Sequence, residues 1–203
     1  FKLIRPDGED KKLADLVMQE PVEELKDLVD YVKEPHEFEK MGYIPETKIL
    51  IIGESGFGKG TLIKALANEM NLNIIQIHAS RFFDTENVIE KLFELVQKAS
   101  IPYIVHIDAF EKLTEHTDSE METPDAILDK LQTYLDIYPQ VILIATCEDS
   151  SALISNEDTY SRFFKKAISL EVPNQEERCK LLKEFTANNS LAEDVDLEQI
   201  AKN

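Results

Sequence analysis

The sequence predicts an α/β domain built on a parallel sheet of five strands, with helices packed on both faces. Two observations carry this. Short runs rich in Ile and Val alternate with longer segments of helical period, and that alternation implies right-handed crossovers between parallel strands. One apolar run, Ile49–Ile52, leads into Gly53-Glu54-Ser55-Gly56-Phe57-Gly58-Lys59, and a helical pattern follows at once. This is the strand, glycine loop and helix order of a phosphate-binding P-loop.

The elements follow in order. Residues 1–20 read as a charged, weakly structured leading segment. Pro21 followed by Val22, Leu25, Val29 and Val32 places proline in the first turn of a helix with one apolar face, and Pro35 ends that helix. Ile49–Ile52 is the first strand, Lys59–Met70 the helix after the loop, and Ile74–Ile77 the second strand. Asn87–Lys98 is a helix that turns Val88, Leu92, Leu95 and Val96 inward. Tyr103–Ile107 is the third strand, Pro124–Tyr138 a helix, Val141–Ala145 the fourth strand and Ala167–Val172 the fifth. Asn174 caps a helix running to about Asn188, with Glu177 spaced for a capping box.

Composition narrows the function classes. The chain has 203 residues and 43% hydrophobic content, enough for a full core. Lys and Arg total 22 against 40 Asp and Glu, a net charge of −18. So acidic a surface is repelled by nucleic acid and by anionic membranes, and direct binding to either is not expected. Cys147 and Cys179 are far apart and lack metal-ligand spacing, which points to a reduced, intracellular compartment. No run reaches transmembrane length and no signal peptide is present, so any membrane link runs through segments outside this chain. The abrupt opening at Phe1 and close at Asn203 read as a piece of something longer. The four histidines, His36, His78, His106 and His116, have no metal-ligand spacing, and no H-E-x-x-H occurs.

The glycine loop carries the chemistry. The motif is G-x-x-x-x-G-K-[ST], and every fixed position is filled except the last, where Gly60 stands in place of a hydroxyl that would bind Mg²⁺. Gly53, Gly56 and Gly58 permit positive φ, so successive N–H groups can face an anion. The helix from Lys59 adds its N-terminal dipole. Lys59 has the reach for β- and γ-phosphates. The nucleotide-binding set is therefore Gly53, Glu54, Ser55, Gly56, Phe57, Gly58, Lys59, Gly60 and Thr61, for ATP or ADP with Mg²⁺.

Beyond the loop, the chain resembles AAA ATPases, in the clade of FtsH-type proteases and tandem-ring unfoldases. EELKDLVDYVKEPHEFEKMGYIPETKILIIG resembles the family's leading helix, its P-x-x-F-x-x-x-G segment and its first strand. GKGTLIKALANE is similar to the family's GKTLLAKALANE. ISLEVPNQEER resembles the fifth strand and the turn into the lid, and LAEDVDLEQIAKN the start of a second lid helix. The resemblance implies a P-loop NTPase core over 21–173 and the truncated beginning of a small helical lid over 174–203. It also implies work as one subunit of a homo- or hetero-oligomeric ring with other AAA subunits. It does not extend to proteolysis. GESGFGKG is similar to the second ring of bromodomain-bearing AAA proteins, and the upstream helix to chloroplast FtsH-like proteins.

Read against the family pattern, the chain is a degenerate member. Asp108 matches the Asp that holds Mg²⁺ through water. Ala109 takes the place of the Glu that polarises the attacking water, and Glu111, two residues on, is a second candidate for that base. Thr146-Cys147 stands where the family has Thr-Asn, and a thiol is a weak donor. In Thr159-Tyr160-Ser161-Arg162-Phe163 the first of two arginine-finger residues is lost, and Arg162 holds the place of the second, a candidate finger into a neighbour's site. Ser80-Arg81-Phe82-Phe83-Asp84-Thr85 is short for a pore loop, and Phe82 and Phe83 are either pore aromatics or core. Glu111–Glu122 reads as a solvated loop. Three readings stay open: a hydrolysis-impaired pseudo-ATPase with a structural or regulatory role, an active ATPase motor domain with unusual residues, and a nucleotide-free interaction module.

Overall fold

Six strands form one sheet: β1 (Lys2–Ile4), β2 (Lys48–Ile52), β3 (Asn73–His78), β4 (Tyr103–Asp108), β5 (Ile142–Cys147) and β6 (Lys166–Ser169). Their spatial order is β1-β3-β4-β5-β2-β6. The computed structural model describes residues 1–203 apart from 8–10, 85–86, 99–102, 116–122, 150–159, 162, 190, 193–194 and 203. β2 to β6 run parallel, as the alternation of strands and helices predicts. β1 corrects the five-strand expectation: it joins the β3 edge antiparallel, pairing Lys2 with Gln76 and Ile4 with Ile74. Three residues are too few to show a period in the sequence. The leading segment also forms a short turn, Leu13–Asp15, and buries Leu13 and Leu16.

Both faces of the sheet are buried, and the period of two divides the residues between them. Ile49, Ile51, Ile74, Ile104, Ile142, Ile144 and Ile168 pack into one layer with Leu62, Ile63 and Leu66 of α4 (Lys59–Met70). Leu50, Ile75, Ile77, Val105, Ile107, Leu143 and Ala145 pack into the other. That second layer contains α6 (Val88–Gln97) and α8 (Pro124–Ile137), with Phe93 stacked on Tyr134 at 4.6 Å.

The helix expected from Pro21 is divided into α1 (Gln19–Glu24) and α2 (Lys26–Lys33) at Leu25. Pro35 ends α2 and also opens α3 (Pro35–Met41), where its missing N–H leaves no bond unmade. In α6 the inward set is Val88, Ile89, Leu92, Phe93 and Val96, whereas Leu95 is 43% exposed. At 100° per residue those five fall on one arc, and Leu95 lies past its edge. β6 stops at Ser169 rather than Val172. Buried Leu170 still donates its N–H to Ile52 O at 2.7 Å, while Val172 is exposed. Arg81–Asp84 (α5) and Lys112–Glu115 (α7) are single turns that follow β3 and β4. After the sheet come α9 (Gln175–Thr186) and α10 (Leu197–Ile200). Asn174 Oδ1 accepts the N–H groups of Glu176 and Glu177, and Glu177 Oε2 accepts the Asn174 N–H at 2.9 Å, the capping box that the spacing predicts. Among the described residues no helix is long and apolar enough to cross a membrane.

Candidate functional site

Because β2, β3, β4 and β5 run parallel, their carboxyl ends share one edge of the sheet. β2 lies between β5 and β6, so the chain leaves it for β3 on one side while β6 closes the other. Ligand crevices form at such a switch point. Along the face that packs on α4, each strand changes from apolar to polar toward this edge: Ile74 then Gln76 and His78, Ile104 then His106 and Asp108, Ile144 then Thr146. The polar ends lie in one cleft with the loop that follows β2.

The loop is shaped by its glycines, but for different reasons. Gly58 caps α4 at φ +92°, a conformation that residues with a Cβ rarely adopt. Gly53 does not have the positive φ expected of it. A Cβ there would meet Leu170 O at 2.9 Å and Leu170 Cβ at 3.0 Å, so its role is close approach to the chain after β6. Lys59 donates to Gly53 O and, at 3.1 Å, to Glu54 O, which holds its ammonium over the loop. Gly60 is the second residue of α4, and a Cβ built on it meets nothing within 4 Å.

Asp108, at the end of β4, is held on several sides. Its Oδ1 accepts the Thr146 hydroxyl at 2.9 Å and the Ala109 N–H at 3.2 Å, and Gln76 Nε2 lies 3.5 Å from Oδ2. His106 Nε2 is 3.1 Å from Thr146 Oγ1. Burial lowers the His106 pKa to about 4 against the opposing pull of Asp108, so its ring is neutral at pH 7. Ala109 has φ +53°, in the left-handed region. The turn lets the Phe110 N–H reach Thr146 O at 2.8 Å and buries the Phe110 ring. Glu111 then comes back to border the cleft. Cys147 is buried, and burial first, then Glu111, pushes its thiol up to about 12, so it is protonated and inert at neutral pH.

Two cavities flank the loop and share Gly56, Gly58 and Thr61. One, of about 600 Å³, is the cleft bordered by Ser55, Lys59, Gly60, Asp108, Thr146 and Glu111. The other, of about 620 Å³, has an apolar wall from Leu16, Met18, Phe57, Leu170, Leu181 and Phe185. The Lys11–Glu184 ion pair joins the leading segment to α9 beside it.

The structure thus gathers Ser55, Gly56, Gly58, Lys59, Gly60, Thr61, Asp108 and Glu111 at one cleft, with Phe57 in the adjoining cavity. Phe82 and Phe83 of α5 are core residues rather than pore aromatics. Thr159 and Arg162 lie outside the described residues, as does the 116–122 part of the acidic loop. Sequence reading missed Gln76, His106, Thr146 and Met18 as members of the site. His106 was legible, because it precedes Asp108 by two on a strand and so shares its face. Gln76 and Met18 depend on strand order and on the path of the leading segment.

Comparison with known proteins agrees with this geometry. The profile of the "ATPase family associated with various cellular activities (AAA)" matches residues 49–169. The chain is 31% identical over 202 residues to the proteasome-activating nucleotidase of Methanothermobacter thermautotrophicus, covering 91% of this chain and 48% of that protein. It is 31% identical over 197 residues to the ATP-dependent zinc metalloprotease FtsH of Thermotoga maritima, covering 91% of this chain and 32% of that one. The chain therefore spans about half the length of these relatives or less. A solved structure described as the structural basis for katanin self-assembly superposes with TM-score 0.78 at 18% identity, covering 98% of this chain and 67% of that one, and so shares the fold.

Proposed function

The chain belongs to the AAA family of ATPases, and from that premise we propose that it holds ATP or ADP with little turnover and serves as a structural or regulatory subunit of an AAA ring. One contrast carries the reading: the groups that would hold a nucleotide are built, while those that would hydrolyse it are missing. The strand, loop and helix, Lys59 and a fixed Asp108 border one cleft. At the same cleft Ala109 offers no carboxylate and Gly60 no hydroxyl.

The donor set fits a phosphate chain. Lys59 supplies a cation, and the Gly58 backbone has φ +92°, a form that residues with a Cβ rarely adopt. The apolar wall of Met18, Phe57 and Phe185 suits a base and sugar. A hydrated Mg²⁺ fits through Asp108 and the phosphates. Among the described residues no group of three or more His, Cys, Asp and Glu side chains is arranged to hold a metal ion without them. When bound, Mg²⁺ would neutralise phosphate charge. Asp108 would hold it through its hydration, and Lys59 would bind phosphate. Glu111, on the wall of the same cleft, supports a second reading in which it replaces the missing base and the domain turns over as a motor. Arg162, which the family resemblance matches to an arginine finger, would act in trans in a ring.

Calorimetry with ATP and ADP tests the reading. Binding that Lys59→Ala abolishes is expected, with hydrolysis near background. If neither nucleotide binds at millimolar concentration, the domain is a nucleotide-free interaction module. A turnover near about 1 s⁻¹, the slow end of ordinary enzymes, would favour the motor reading.

A further inference from the structure

We propose that His106 is a positioning residue that acts through Thr146 to aim Asp108 at a nucleotide-bound cation, an inference that rests on the nucleotide reading above. Counting protons fixes the direction of each bond in the chain. The Asp108 carboxylate only accepts, so the single Thr146 hydroxyl proton goes to Oδ1 at 2.9 Å. Thr146 Oγ1 then has only lone pairs for His106 at 3.1 Å, so the ring proton is on Nε2 and His106 donates. The order is His106 Nε2–H to Thr146 Oγ1–H to Asp108 Oδ1. Oδ1 also takes the Ala109 N–H at 3.2 Å, whereas among the described residues Oδ2 has only the long 3.5 Å approach of Gln76. Oδ2 is thus the oxygen with capacity to accept from a cation's water.

The placement argues against a filler role. His106 is 5% exposed, and the residue before it on the same strand face is the apolar Ile104. A buried imidazole costs free energy unless it is bonded, and the bond it makes leads to Asp108. Without the His106 donor, the Thr146 hydroxyl is free to rotate, and Asp108 loses a fixed partner. Groups that orient a metal's ligand typically contribute about 10–100-fold to its affinity. The lower end applies to an Asp that acts through water.

The test measures ATP affinity of the full chain by calorimetry, with Mg²⁺ and again in EDTA. His106→Phe and Thr146→Val should each cut the gain in affinity due to Mg²⁺, read for each variant against its own affinity in EDTA, about tenfold. The double variant should lose no more than either single one, because His106 works through Thr146. His106→Gln, which keeps a donor, should retain most of the gain. Independently of ligand, ¹⁵N spectra of the wild-type ring should show the Nε2–H tautomer. An undiminished Mg²⁺ gain in His106→Phe, additive losses in the double variant, or an Nδ1–H tautomer would each overturn the proposal while ATP binding in EDTA kept the nucleotide reading. Absence of ATP binding by the wild type, with Mg²⁺ and in EDTA alike, would sink both.

Discussion

Gly58, the cap of α4, and Gly60, in its first turn, are two residues apart, yet replacing each with Ala should shift stability in opposite directions. At Gly58, φ +92° is unfavourable for any residue with a Cβ, and the new atom would meet Met18 Cε at 2.9 Å. Holding a residue in such a backbone costs about 1–3 kcal/mol. The Met18 contact adds less, because the end of a methionine is flexible. At Gly60 the backbone is helical and a Cβ meets nothing within 4 Å. Ala there should stabilise by about 0.5–1 kcal/mol, from unfolded-state entropy and helix propensity. The two variants should thus differ by roughly 2–4 kcal/mol. For a chain of about this size that is roughly 5–15 °C in Tm. Thermal and urea unfolding followed by circular dichroism would measure it. Adding Met18→Ala to Gly58→Ala should recover the contact portion but not the backbone portion. If Gly58→Ala melts at or above Gly60→Ala, the loop does not have the conformation on which the phosphate cradle depends.

Four further outcomes are expected. Gly60→Thr with Ala109→Glu should raise ATP turnover more than either alone, since both groups act in one transition state; a single-variant rate equal to the double would contradict this. His106 has a folded pKa of about 4, below its ordinary 6.5, so the unfolded chain takes the proton first as pH falls. Its contribution is therefore fully present above pH 6.5 and is lost between 6.5 and 4, by about 3 kcal/mol. Urea titrations of wild type against His106→Gln across that window should show the difference in slope. A thiol reagent at pH 8 should label half-buried Cys179 in the native protein and reach Cys147 only on unfolding, and equal native rates would refute the burial argument. If this domain works in an AAA ring, Arg162→Ala should weaken ring assembly or a neighbouring subunit's ATPase while this domain's own nucleotide affinity stays unchanged; no effect on either would remove the case for action in trans.

The residues legible in the sequence were those whose role is set by local geometry. A P-loop is contiguous, so the run through Lys59 and Gly60 could be read from spacing as one loop and helix start, and Ser55, Gly56, Gly58, Lys59, Gly60 and Thr61 do border one cleft. Five parallel strands followed from the alternation of apolar runs and helical segments, and the Asn174–Glu177 cap from a spacing of three. Asp108 and the loss of a carboxylate at Ala109 followed from family resemblance at the end of an apolar strand. Local reading failed where the deciding neighbour was distant. β1 exists because a β3 edge was available to it. Gly53 is constrained by Leu170, more than a hundred residues away. Leu95 matched a helical period yet fell outside the buried arc.

The sequence by itself determined the fold class, the phosphate loop and the absence of a hydroxyl at Gly60 and a carboxylate at Ala109, because each is written in residues adjacent along the chain. Only the tertiary structure decided that Thr146 and Gln76 reach Asp108 from the neighbouring strands and that Met18 lies against Gly58. Strand order brings β3, β4 and β5 side by side, and hydrogen-bond partners across a sheet depend on that order rather than on separation in sequence.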